Sequence, residues 1–392
     1  MSNALAIGQG GPSAPPPLAL YVHLPWCVRK CPYCDFNSHA VHDALPEARY
    51  LDALCSDLEQ SVPLVWGREV GSIFMGGGTP SLFSPEAIDR LLTTARTLLK
   101  VSPRVEITME ANPGTVEAGR FRGYAEAGVN RLSLGIQSFD DRHLRALGRI
   151  HDAREARRAA ELALASFERV NLDLMYALPG QTSDEARADI DAALALAPGH
   201  LSCYHLTLEP NTPFAVDPPS LPDDDAAADM QAMIEARLAD AGYGNYETSA
   251  FARGGQRCRH NLNYWQFGDY LGIGAGAHGK LSFHDRIERH ARRKHPREYM
   301  DTMLAGQLEQ SIELRTLGRG DLVFEFMMNA LRLTDGFDRR LFEERTGLSV
   351  AVLSLRLAEA ERRGLLEQDL HRIRPTLLGR RYLNDLLQLF LD

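Results

Sequence analysis

From Leu18 onward the chain alternates short runs of apolar and β-branched residues with longer stretches whose apolar positions recur every three or four residues. The short runs predict strands over 18–23, 72–75, 104–110, 131–134, 170–175 and 200–206. The longer stretches predict helices over 48–60, 85–98, 115–127, 153–165 and 182–196. Strand and helix in regular alternation build a parallel sheet, because each crossover helix returns the chain to the starting end of the next strand. The expected fold is therefore α/β, a partial (β/α)6 barrel over 18–215. Residues 1–17, rich in Gly, Pro and Ala, predict a disordered tail.

Past the barrel the pattern changes. A Pro- and Asp-rich connection, NTPFAVDPPSLPDDD, leads into a helix over 226–241 and a strand over 243–251 that covers the barrel's open side, within an extension spanning 216–316. The last part, 317–392, reads as a mostly helical domain. Helical spacing over 352–364 and a hairpin near 365–373 give it a winged-helix outline. Such folds often bind DNA, but the arginines here are matched by as many acidic residues, which points to a packing or partner-binding module.

At 392 residues, 44% hydrophobic and 24% charged, the chain is long enough for one large domain and a smaller one. Its net charge of −9 argues against general nucleic-acid binding, which draws its affinity from phosphate neutralisation. No apolar run reaches the ~18 residues of a membrane span, and the first residues lack the pattern of a signal peptide, so a cytoplasmic location is expected. Six cysteines, three of them in one loop, suit a reducing compartment.

That loop is the first candidate for chemistry. In YVHLPWCVRKCPYCDF, Cys27, Cys31 and Cys34 have the spacing C-x3-C-x2-C, and Pro25 and Pro32 favour an irregular wrap over a helix. Three thiolates can hold a [4Fe-4S] cluster with one iron open to a ligand; with His23 or His39 as a fourth donor they can hold a structural zinc ion. A disulfide framework would leave one of the three unpaired.

Barrels of this kind place their chemistry at the C-terminal ends of the strands. Gly76-Gly77-Gly78-Thr79-Pro80 follows the second strand, Glu110 ends the third, Gly135-Ile136-Gln137-Ser138 follows the fourth, and Asp173 lies in the fifth. Taken singly, these read equally as a tight turn, an exposed carboxylate and, for Arg149, a surface arginine. LGIGAGAHG departs from a dinucleotide-binding fingerprint and reads as a close-approach loop over the barrel mouth, with His278 as a contact there.

The cysteine spacing, with Tyr33 before the last cysteine, resembles the signature of the radical S-adenosylmethionine (SAM) family. That resemblance implies a [4Fe-4S] cluster on Cys27, Cys31 and Cys34, with SAM chelated to the open iron and cleaved by one electron to a 5'-deoxyadenosyl radical. Within the family, Gln137, Arg149 and Asp173 match in type and interval residues that bind SAM in the coproporphyrinogen dehydrogenase (HemN) branch, as do Tyr21, Gly77 and Glu110, and the resemblance places Gly78 and Thr79 in the same SAM site through the glycine loop. Further on, His260-Asn261-Leu262-Asn263-Tyr264-Trp265 offers an imidazole and two aromatic walls, the elements of a haem contact, although a loop histidine bonded to its neighbours has the same appearance. H-N-x-x-Y-W is similar to the marker of HemW-type haem chaperones, a sister branch.

Phe36 stands where HemN carries a fourth cysteine, and the long N-terminal extension of HemN is missing. The resemblance therefore implies a haem chaperone that binds haem through His260 and passes it to respiratory haem proteins, with a haem donor and a cluster-dependent homodimer left open. The competing reading is an enzyme, an oxygen-independent coproporphyrinogen III dehydrogenase. No C-x-x-C-H occurs for haem attachment of the cytochrome c type. The basic stretch 286–297 suits haem propionates or an acidic membrane surface, and equally a solvated face.

Overall fold

A computed structural model describes residues 11–12, 14–41, 44–115 and 118–391. Most of the tail expected over 1–17 lies outside these residues. Where the chain enters, the Pro16 carbonyl accepts from Arg68 at 2.6 Å and the Pro17 carbonyl from the Asp269 amide at 2.9 Å.

The six expected strands form, most of them longer than their apolar runs: β1 (Leu18–Leu24), β2 (Glu69–Gly77), β3 (Lys100–Ala111), β4 (Arg131–Gln137), β5 (Arg169–Tyr176) and β6 (His200–His205). Between them run α1 (Glu47–Ser61), α2 (Pro85–Leu98), α3 (Ala118–Ala127), α4 (Asp141–Ala146), α5 (Ala153–Ser166) and α6 (Ser183–Leu196). Helix starts follow local chemistry. Asp152 with Glu155, and Thr182 with Glu185, form capping boxes that satisfy the first free amides of α5 and α6. The helix expected from 115 is described from Ala118, residues 116 and 117 lying outside the described set.

The sheet is larger than six strands. Past α7 (Asp224–Asp240), strands β7 (Gly244–Glu247) and β8 (Ala250–Ala252) replace the single strand expected over 243–251. After α8 (Arg259–Trp265) come β9 (Asp269–Ile273), β10 (His278–Ser282), β11 (Ile287–Arg292) and β12 (Ile312–Thr316). The order is β12-β11-β10-β9-β1-β2-β3-β4-β5-β6-β8-β7, with β9 a seventh parallel strand beside β1 and antiparallel strands on both flanks. A linear order leaves the barrel open, as a partial barrel should be. LGIGAGAHG thus supplies β9 and the turn into β10.

Alternation along the strands separates two environments. Leu20, Val22, Ile73, Met75, Ile107, Met109, Leu132, Leu134 and Leu172 pack outward against the helices in one core. The other face looks inward and is polar: Glu106, Thr108, Arg131, Ser133, Asn171, His200 and Ser202 are all buried there. Buried polar groups cost free energy unless paired. Glu106 accordingly pairs with Arg169 at 2.9 Å.

Two expectations change here. His260 to Trp265 is the helix α8 and no loop. The Glu106 carboxylate accepts from the amides of Arg259 (2.8 Å) and His260 (3.1 Å), satisfying orphan donors of the helix start from a strand far away in sequence. The basic stretch 286–297 is largely committed to internal pairs. Arg292 is fully buried against Asp57, Arg289 forks onto Glu325, and Arg286 bonds Glu288.

The C-terminal part packs α10 (Arg319–Ala330) (α9 being Pro296–Leu304), α11 (Arg339–Thr346) and α12 (Ser354–Arg362) around Phe326, Phe337, Phe342, Leu357 and Ile373. A small antiparallel sheet of β13 (Phe337–Asp338), β15 (Arg372–Pro375) and β14 (Leu366–Gln368) completes the winged-helix-like outline. Arg332–Glu247 and Arg289–Glu325 tie it to the sheet.

Candidate functional site

One cavity of about 300 Å³ opens at the C-terminal ends of β1 to β6. Cys27, Cys31 and Cys34 share its wall with Gly77, Gly78, Thr79, Glu110, Gln137, Arg149 and Asp173. Ten of the twelve singled-out residues thus meet in one space, although they are spread over nearly 150 positions of sequence. Strand ends bring them together, because parallel strands deliver all their following loops to one side.

The cysteine loop leaves β1 and is clamped at both ends. Trp26 and Cys27 pair with His39 and Ala40, and the Cys34 amide bonds the Cys31 carbonyl at 3.2 Å. All three thiols are free and half-buried. Burial pushes the Cys27 and Cys34 thiols up, so they are protonated near neutrality unless a cation compensates them.

The glycine loop packs against this one from behind. A side-chain carbon on Gly78 would lie 2.5 Å from the Trp26 carbonyl oxygen, and one on Gly77, at φ 112°, would lie 2.4 Å from the His23 ring. Protein packing therefore demands glycine at both positions whatever binds in front. The Gly77 amide donates to Glu110 at 3.2 Å. Burial, with the Asp173 charge adding to it, raises the Glu110 carboxyl to about 8.

Arg149 reaches the cavity from beyond α4. Its Nη2 donates to Asn112 Oδ1 (2.6 Å) and to the Gly135 carbonyl (2.9 Å), and its Nη1 lies 3.6 Å from Cys31 Sγ. Asn112 in turn donates to Thr79 at 2.8 Å, linking three loops. Gln137 adopts a left-handed backbone, φ 69°, next to a register shift between β4 and β5, which turns its side chain into the cavity.

Asp173 is held from beneath. Ser133 and Asn171 donate to its two oxygens at 2.9 and 2.8 Å. Asn171 Oδ1 accepts from Ser202 and from His200 Nδ1 at 2.6 Å, so the Nε2 of His200 carries the lone pair and accepts from the Tyr246 hydroxyl at 2.8 Å. A directed chain of hydrogen bonds across four strands thus ends on Asp173. Burial nevertheless pushes its carboxyl up, these bonds and Arg131 pulling the other way.

Tyr21 and His260 stand apart from the cavity wall. The Tyr21 hydroxyl bonds His23 Nδ1 at 3.0 Å, so it buttresses the ring behind Gly77. His260 is 1% exposed, stacks on Phe74 with centroids 5.0 Å apart, and has both nitrogens engaged, Nδ1 with Ser72 (3.0 Å) and Nε2 with the Tyr264 hydroxyl (2.9 Å). Burial lowers its pKa to about 3. A metal would have to break one of those bonds to reach it.

Sequence reasoning passed over Ser133 and Tyr204, which also line the cavity. A signal was present: Arg131, Ser133, Gly135 and Gln137 alternate with Leu132, Leu134 and Ile136, marking a polar inner face on an apolar strand.

Comparison with known proteins places this geometry. Residues 21–193 match the model of the Radical SAM superfamily, and residues 317–382 that of the HemN C-terminal domain. The chain is 50% identical to the protein named Heme chaperone HemW of Escherichia coli (strain K12), over 96% of this chain and 98% of that one. The chain belongs to the HemW family. The Heme chaperone HemW of Haemophilus influenzae is 48% identical over the same shares of the two chains. Among solved structures, the Escherichia coli coproporphyrinogen III oxidase HemN, described as a radical SAM enzyme, superposes with a TM-score of 0.80 at 25% identity, covering 96% of this chain and 90% of that one. Among the described residues, no helix of this HemW-family chain is long and apolar enough to cross a membrane.

Proposed function

We propose that this chain is a cytoplasmic haem chaperone that binds haem and passes it to respiratory haem proteins, and that it holds a [4Fe-4S] cluster and SAM in the cavity described above. The observation that carries the reading is the convergence of three free cysteines with the Gly77, Glu110, Arg149 and Asp173 set, in a chain half identical to a protein named a haem chaperone. The residues present fit the two cofactors. Three thiols line one wall, the Nε of Arg149 is buried with no hydrogen-bond partner among the described residues, and the carboxyls of Glu110 and Asp173, held by Gly77 and by Ser133 and Asn171, keep spare acceptor lone pairs beside the cavity.

Cys27, Cys31 and Cys34 would hold the cluster, which when bound supplies one electron to the SAM sulfonium. Arg149, oriented by Asn112 and the Gly135 carbonyl, offers its planar fork to the methionine carboxylate. Glu110 accepts from the amino group, and Asp173 from the ribose hydroxyls. Gln137 and Thr79 close the sides. Tyr21 acts through His23 as a positioning residue. We place the same role on His260, whose bonds fix Tyr264 and Ser72 beneath the cavity.

Cys31→Ser should lose the iron, the sulfide and the visible absorption of the cluster almost entirely after anaerobic reconstitution, while the protein remains folded. Retention of a full cluster would remove the loop from the proposal. Asn171→Leu cuts the chain of hydrogen bonds under Asp173 and should weaken SAM binding about tenfold, the order of one buried hydrogen bond to a charged group. Equilibrium dialysis against labelled SAM reads it, and an unchanged affinity would show that Asp173 needs no such support.

The deciding test sets haem titration by absorbance beside product analysis with coproporphyrinogen III and SAM. Tight haem binding with no protoporphyrinogen formed supports the chaperone. Protoporphyrinogen formation would make this chain a coproporphyrinogen III dehydrogenase.

A further inference from the structure

With His260 enclosed, haem needs another seat, and the cavity mouth supplies one. Val28, Phe36 and Ile150 all line it and remain 47%, 58% and 46% exposed. Large apolar side chains left uncovered around one cavity mark a surface that is covered in use.

The charges beside them are uncommitted. Arg29 and Lys30, between the first two cysteines, line the same mouth, and neither makes an ion pair among the described residues. Among the described residues the Lys30 ammonium donates to the Phe36 carbonyl alone, at 3.1 Å. The arginines of 286–292, by contrast, are spent on Glu288, Glu325 and Asp57. Asp35, exposed and next to Phe36 in sequence, opposes an anion but does not line the cavity as the two cations do.

Size separates this seat from the interior. About 300 Å³ is the lower end of ligand cavities, so a broad, flat macrocycle cannot share the interior with SAM. An apolar plate edged by two cations complements a flat apolar ligand with two carboxylates.

We propose that haem seats on this rim, its face against Val28, Phe36 and Ile150 and its propionates towards Arg29 and Lys30. The inference rests on the haem-binding reading above. It is tested on the full-length, anaerobically reconstituted protein by absorbance titration with haem and with the dimethyl ester of haem, whose carboxylates are blocked. Phe36→Ser with Ile150→Ser should weaken both ligands about fiftyfold, the loss expected for roughly 100 Å² of apolar contact at about 25 cal/mol per Å². Arg29→Gln with Lys30→Gln should weaken haem about three- to tenfold and leave the ester unchanged, as partly exposed charge pairs do.

Iron and sulfide content, measured in parallel, must stay at the unsubstituted level to show that the cysteine loop is intact; the surface Gln pair keeps the test open if the serine pair loses its cluster. Unchanged haem affinity in the Gln pair and in any cluster-loaded serine pair, beside a haem-binding parent, overturns the seat and leaves the chaperone reading standing. Unchanged affinity with impaired haem transfer or impaired self-association also overturns it, making the rim a protein-docking surface. A parent protein that binds no haem takes down the chaperone reading and this seat together.

Discussion

SAM affinity should rise about fiftyfold between about pH 6 and about pH 8 and level off above about pH 9, the course of one carboxyl that must lose its proton on binding. The responsible group is Glu110, whose carboxyl burial raises to about 8. The sign follows from the protonation states. Below that pKa the empty site holds the neutral acid, and accepting hydrogen bonds from an amino group requires expelling the proton, so each unit of lower pH costs up to tenfold. Glu110→Gln should bind weakly at every pH and show a flat profile, because an amide keeps the shape and loses the titration. Equilibrium dialysis across the range is the measurement. Asp173 also has its carboxyl pushed up by burial and faces the same space, so Asp173→Asn is the companion variant. A slope that survives Glu110→Gln and vanishes in Asp173→Asn would transfer the role to Asp173.

Asp57→Ala should destabilise the protein by about 3–5 kcal/mol, the cost of leaving one member of a buried ion pair without its partner. Asp57 and Arg292 are both fully buried and meet at 2.8 Å, with the Tyr299 hydroxyl (2.9 Å) and the Gly274 amide (3.2 Å) on the other carboxylate oxygen. This one side chain joins α1 to β11 and to the turn after β9. That turn supports the cysteine loop, since the Ala275 carbonyl accepts from Asn37 at 3.0 Å. Loss of Asp57 should therefore also speed cluster loss on exposure to a chelator. The control is Asp52→Ala, which breaks an exposed pair with Arg90 and should cost under about 1 kcal/mol. Thermal unfolding of both variants decides it. Equal shifts would mean that Arg292 is rehydrated, and the double variant Asp57→Ala with Arg292→Met should recover part of the loss if the unpaired guanidinium is the cause.

The two networks differ in how far they could be foreseen. Asp173 was legible, since a carboxylate two residues short of a strand's end, in an alternating βα chain, must face the ring of loops. Asp57 reads only as one more acidic residue in an amphipathic helix. Its partner is 235 positions away, on a strand that the basic composition of 286–297 presented as a solvated face.

By itself the sequence determined what depends on neighbours: the order of strands and helices, read from periodicity, the capping boxes that start α5 and α6, and the cysteine loop, whose spacing is local chemistry. It also determined that most of the candidate residues would gather at one end, because parallel strands leave that geometry no alternative. What only the tertiary structure decided is which polar groups are already satisfied. For His260 the sequence left a haem contact and a bonded histidine side by side, and the structure engages both of its nitrogens, with Ser72 and Tyr264, at the start of a helix that Glu106 caps. The mouth of the cavity likewise became visible only once Phe36 and Ile150, distant in sequence, were left uncovered around it. Burial and partnership arise from contacts between distant segments, and local pattern carries no record of them.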